Sequence, residues 1–66
     1  MRLDANRPIV KLTGEDGNAF AIIGRCSKTA RKAGWSKDQI KVLTDQMSSG
    51  DYDNLLATAV KYFDVR

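Results

Sequence analysis

Sixty-six residues with a mass of 7.3 kDa allow one domain, able to bury only roughly 60% of its unfolded surface. With 42% hydrophobic and 29% charged residues and a single Pro, the chain is globular in composition, neither disordered nor fibrous. One cysteine and no histidine, in a chain of net charge +3, exclude an internal disulfide, a structural zinc site and most common catalytic chemistry.

Residues 1–8 read as a flexible polar arm, with Pro8 holding the residue before it extended. The arm has no apolar core of the signal-peptide kind, so the protein is expected to stay where it is made. The longest apolar run, Ala19 to Ile23, is far too short to span a membrane. Residues 9–66 then read as one small domain. Ile9 to Thr13, rich in β-branched residues and bounded by Pro8 and Gly14, predicts a short strand. Gly14-Glu15-Asp16-Gly17-Asn18 predicts a turn.

Two arrangements compete for the segment after that turn. The Asp-Gly turn could close a β-hairpin between Val10–Leu12 and Ala19–Ile22. A helix capped by Asn18 and running to Ala33 is the alternative. Steps of about 100° from Phe20 gather Ala19, Phe20, Ile22, Ile23, Cys26, Ser27, Ala30 and Ala33 on one arc. Ala21, Gly24, Arg25, Lys28, Arg31 and Lys32 fall on the other. That division over four turns favours the helix.

Gly34 is placed to end it, after Arg31 and Lys32 have set positive charge near its negative end. Ser36 with Gln39 forms a capping box for a second helix, and Trp35 can pack on Ile40 as a hydrophobic staple. Ile40, Leu43 and Met47 give that helix its inner stripe, and Ser48-Ser49-Gly50 ends it. Asp51 caps a third helix whose expected stripe is Tyr52, Leu55, Leu56, Ala59, Val60 and Phe63. Asp64 to Arg66 can extend and pair with the early strand. The fold class is mainly α: a compact three-helix bundle with a short N-terminal strand. Its expected core is Ile9, Leu12, Phe20, Ile23, Ala30, Trp35, Ile40, Leu43, Met47, Leu56, Val60 and Phe63. This core is thin for a monomer, which leaves a homodimer open.

Little in the chain points to catalysis. Cys26 falls on the apolar arc without a base beside it, which reads as a buried small hydrophobe. Asp38, Asp51 and Asp53 occupy first helical turns, where a carboxylate favours the helix dipole. Asp51-Tyr52-Asp53 lacks the glycine and terminal glutamate of a calcium loop. Gly14-Glu15-Asp16-Gly17 has the outline of a phosphate loop, but its two acids would repel the ligand. No enzyme activity, cofactor or metal is expected.

Charge is the feature above background. Residues 1–43 carry nine basic and four acidic side chains, a balance of +5, whereas residues 44–66 carry two basic and four acidic, a balance of −2. The excess lies in Arg25, Lys28, Arg31 and Lys32 on one arc of the first helix, with Lys37 and Lys41 close by in the second. Such a stripe suits an acidic protein surface, or nucleic-acid phosphates held with little sequence preference. It also suits a plain solvated face in a purely structural domain. Nucleic acid ranks below protein, because the third helix carries Asp51, Asp53 and Asp64 against Lys61, the wrong sign for a groove.

Two resemblances add to this reading. Gly34-Trp35-Ser36, followed by Ile40, Leu43 and Gly50-Asp51, resembles ubiquitin-associated domains over about residues 24–63, which implies a compact three-helix bundle. Gly17-Asn18-Ala19-Phe20 with Ser49-Gly50-Asp51-Tyr52-Asp53-Asn54-Leu55-Leu56 resembles short uncharacterised proteins of tailed bacteriophages and bacteria, from Val10 to Val65. That second likeness implies a bacterial or phage-infected cytoplasm and a small protein that binds a host protein.

Overall fold

The structure, a computed structural model, describes residues 7–15 and 17–66. In chain order it has β1 (Ile9–Val10), α1 (Ala19–Lys32), α2 (Lys37–Met47), α3 (Tyr52–Tyr62) and β2 (Asp64–Val65). The three helices pack on one another, and the two short strands close the bundle at one end as a parallel pair.

Each helix starts on the side chain that the sequence offers for it. Asn18 Oδ1 accepts from the Phe20 N–H at 2.8 Å, and Asp51 Oδ1 accepts from the Asn54 N–H at 2.9 Å. At α2 the capping box is complete. Ser36 Oγ accepts from the Gln39 N–H at 3.1 Å, and Gln39 Oε1 accepts from the Ser36 N–H at 2.8 Å. Each cap satisfies N–H groups that have no partner inside the helix. The hairpin alternative is not formed, since Ala19 to Ile23 lie in α1.

Gly34 ends α1 with a φ of +90°, a left-handed conformation that costs glycine nothing. It lets the Trp35 N–H reach the Ala30 carbonyl at 3.0 Å and the Gly34 N–H reach the Arg31 carbonyl at 3.1 Å. This double closure satisfies carbonyls at the helix end and turns the chain directly into α2. The α2–α3 connection is tied by side chains. Ser48 Oγ donates to the Thr44 carbonyl and Ser49 Oγ to the Gln46 carbonyl, both at 2.8 Å.

The first strand is shorter than the β-branched run suggests. Ile9 pairs with Asp64 and Val10 with Val65, the Asp64 N–H donating to the Pro8 carbonyl at 2.8 Å and the Arg66 N–H to the Val10 carbonyl at 2.9 Å. Beyond Val10 the Leu12 and Thr13 N–H groups both converge on the Arg66 carbonyl. That curls the chain into its turn, so the ladder does not run on to Thr13. Of the arm expected over residues 1–8, residues 1–6 lie outside the described residues. Arg7 donates to the Val60 carbonyl at 2.8 Å.

The buried core is Val10, Ile22, Cys26, Ala30, Leu43, Met47, Leu55, Ala59 and Phe63, with Leu12, Ile23, Trp35, Ile40, Tyr62 and Val65 packed against it. Four residues expected inside are exposed: Ile9, Phe20, Leu56 and Val60. The reason is geometric. Ile22, Cys26 and Ala30 lie in the middle of the apolar arc of α1, whereas Phe20 sits at its edge in the first turn, at the side of a shallow groove rather than between the helices. On α3 the wide stripe splits, with Leu55 and Ala59 turned inward and Tyr52, Leu56 and Val60 left outside. Ile9 alternates with buried Val10 along the strand and so points outward. Trp35 stacks on Phe63 and meets the edge of Tyr62, joining the α1–α2 turn to the end of α3.

Candidate functional site

The cations of α1 occupy its outer face because Ile22, Cys26 and Ala30 claim the inner one. Lys28, Arg31 and Lys32 are exposed, spaced at i, i+3 and i+4, so all three project from about one turn. Among the described residues none of them forms an ion pair. They form an uncompensated cluster at the C-terminal end of α1.

The other expected members differ. Arg25 is half-buried, and one of its terminal nitrogens donates to Glu15 Oε1 at 2.6 Å, so its charge is largely answered by the preceding turn. Its Nε is buried without an acceptor, which is a cost to this placement, so the Glu15 contact is what holds the guanidinium. Lys37 and Lys41 are exposed on α2, but they share their outer face with Asp38 and Asp45. Lys41 Nζ lies 3.4 Å from Asp45 Oδ2. That face is locally neutral. The six cations named from the sequence thus divide into three free ones on α1, one anchored to a turn, and two on a mixed-charge helix.

The apolar arc assigns Phe20 to the core, yet it is 85% exposed. It lies on the same outer arc as the cations: Phe20, Arg31, Gly24, Lys28 and Lys32 fall within about 120° of one another around the helix. Gly24 stands between Phe20 and Lys28, and a Cβ there would meet nothing within 4 Å. The face therefore carries an aromatic knob at its start, a side-chain-free step in its middle and three cations at its end. The presence of Phe20 in the first turn after the Asn18 cap is the only sequence signal for this, and the hydropathy pattern outweighs it.

Cys26 is fully buried, and burial pushes its thiol from 9.0 up to about 11. It is protonated at neutral pH and is a packing residue. Two shallow apolar grooves flank the bundle. One, of about 480 Å³, is lined by Trp35, Val42, Leu43 and Tyr62 with Asp38 and Gln39 at its rim. The other, of about 280 Å³, lies between Phe20, Ile23, Met47 and Tyr52. Neither brings two carboxylates together. Among the described residues no three cysteine or carboxylate groups gather as metal ligands, and no helix is long and apolar enough to cross a membrane.

Comparison of the chain with protein families, with curated proteins and with solved structures finds no match.

Proposed function

We propose that this protein is a non-enzymatic binding module that docks the outer face of α1 on an acidic surface of another protein. The observation that carries this reading is the arrangement on that face, with Lys28, Arg31 and Lys32 free of ion pairs among the described residues and Phe20 exposed about two turns earlier along the helix. An exposed aromatic side chain with neighbouring cations is the composition that anchors and steers protein contacts. The partner surface would offer carboxylates about 12 Å along the helix from an apolar recess, the rise between Phe20 and Lys28. The resemblance to short bacteriophage and bacterial proteins supports a host protein as partner and the bacterial cytoplasm as location. Lys37 and Lys41 belong to the margin of the contact, and Arg25 helps to shape it.

Affinity purification from a bacterial host lysate tests the proposal, with Lys28→Glu/Arg31→Glu/Lys32→Glu as control. Binding of the purified partner should weaken with added salt, fall by an order of magnitude or more in the triple variant, and also fall in Phe20→Ala. Equal capture by wild type and triple variant would overturn it. Retardation of random duplex DNA at low salt, lost in the triple variant but unchanged in Phe20→Ala, would favour phosphate-backbone binding instead.

A further inference from the structure

The outer face of α3 is a second exposed surface, away from the cations of α1; at its start the Tyr52 hydroxyl donates to the Gly17 carbonyl at 2.7 Å, and at its end Arg7 donates to the Val60 carbonyl. Tyr52, Leu56 and Val60 recur at i, i+4 and i+8, and all three are exposed. At that spacing they form one continuous apolar ridge, about 12 Å from end to end. The parallel row beside it is Asp53, Ala57 and Lys61, also exposed. It begins with an anion, ends with a cation and has a small residue between.

We infer that this face pairs with the same face of a second copy of the chain, the two α3 helices running antiparallel about a two-fold axis near Leu56 and Ala57. The charge pattern selects both the partner and its direction. A two-fold axis across two antiparallel helices keeps the charged row on the same side of the seam in both copies. Asp53 of each copy then faces the partner's Lys61, and Tyr52 faces the partner's Val60, to within one residue's rise. Parallel pairing would put the charged rows of the two copies on opposite sides of the seam, so that neither Asp53 nor Lys61 meets an opposite charge. It would also align the two helix dipoles unfavourably. The i+4 ridge is the kind that interlocks with its own copy, and Ala57 at the centre lets the two backbones approach. The ridge alone is smaller than the roughly 800 Å² per partner of a standard interface, so the dimer is weak and reversible.

Sedimentation equilibrium from about 10 μM to about 1 mM covers the range in which so small an interface associates. The mass should rise from one chain towards two. Asp53→Lys and Lys61→Asp should each weaken the association roughly tenfold or more, and the double exchange should restore it. Because Asp53→Lys also removes a favourable charge from the first turn of α3, each fold is checked by circular dichroism. Val60→Lys, at an exposed position, supplies a second disruption. In the wild-type chain, amide shifts that change with concentration should cluster on residues 52–61. A constant monomer mass would overturn the inference. So would failure of the double exchange to rescue in a folded protein, shift changes centred on residues 28–32 or at the Trp35 groove, or nuclear Overhauser contacts showing that residues 1–6 cover the ridge.

Discussion

The indole of Trp35 lies nearly flat on the ring of Phe63, with centroids 5.5 Å apart and planes 11° from parallel. Phe63 is the largest fully buried side chain among the described residues, and it stands where α3 gives way to β2. A residue from the α1–α2 turn thereby covers the point at which the last helix becomes the last strand. Trp35→Ala should cost about 2–3 kcal/mol, less than for a fully buried indole because Trp35 is half-buried. Trp35→Phe should retain most of that. Urea denaturation of the two variants checks the order.

Two glycines should respond to alanine with opposite signs. Gly24 lies inside α1, exposed and with room for a Cβ, so Gly24→Ala should raise stability by about 0.5–1 kcal/mol. Gly34 has a φ of +90°, and Gly34→Ala should lower stability by about 1 kcal/mol although nothing would touch the new methyl. Thermal melting should resolve both, at about 4–8 °C per kcal/mol for a domain of this size. Gly24→Ala should also impair partner binding, because it fills the step between Phe20 and Lys28.

Cys26 should make folding pH-dependent in alkaline solution. Below about pH 9 the thiol is neutral in both states. Between 9.0 and about 11 the unfolded chain ionises while the folded chain keeps its proton, so stability falls as pH rises through that window. The loss is up to about 1.4 kcal/mol per pH unit. Cys26→Ala should lack this component. Urea midpoints of the two proteins should converge as pH increases from 9 towards about 11. Parallel midpoints would show that the thiol is not the group responsible.

The pair Arg25–Glu15 links α1 to the turn before it, with both side chains partly exposed. Glu15→Gln should lower stability by less than about 1 kcal/mol, with the difference shrinking in high salt. The same change frees Arg25 beside Lys28. Partner binding in Glu15→Gln should consequently be tighter at low salt and fall more steeply with added salt, as titration at several ionic strengths would report.

The ends of the helices are legible in the sequence because capping is local chemistry. Asn18, Ser36, Asp51 and Gly34 each act on atoms within a few residues, and each does what its type and position imply. The division of apolar residues between inside and outside is less legible. Periodicity defines an apolar arc, but the width of the arc that is covered depends on how many neighbours a helix has. In a bundle of three short helices that is fewer than the hydropathy pattern suggests. Leu55 and Leu56 are adjacent and chemically identical, yet one is buried and the other exposed. Likewise the cation stripe is visible from spacing alone. Its narrowing to Lys28, Arg31 and Lys32 needs the positions of Glu15 and Asp45, and the former acts across a turn that periodicity does not describe.

The parallel pairing of Ile9–Val10 with Asp64–Val65 also makes the small sheet a clasp. One strand precedes the three helices and the other follows them, so their hydrogen bonds can form only once the bundle has brought the two segments together. Removing residues 64–66 would leave three helices without the clasp that joins β1 to the end of α3.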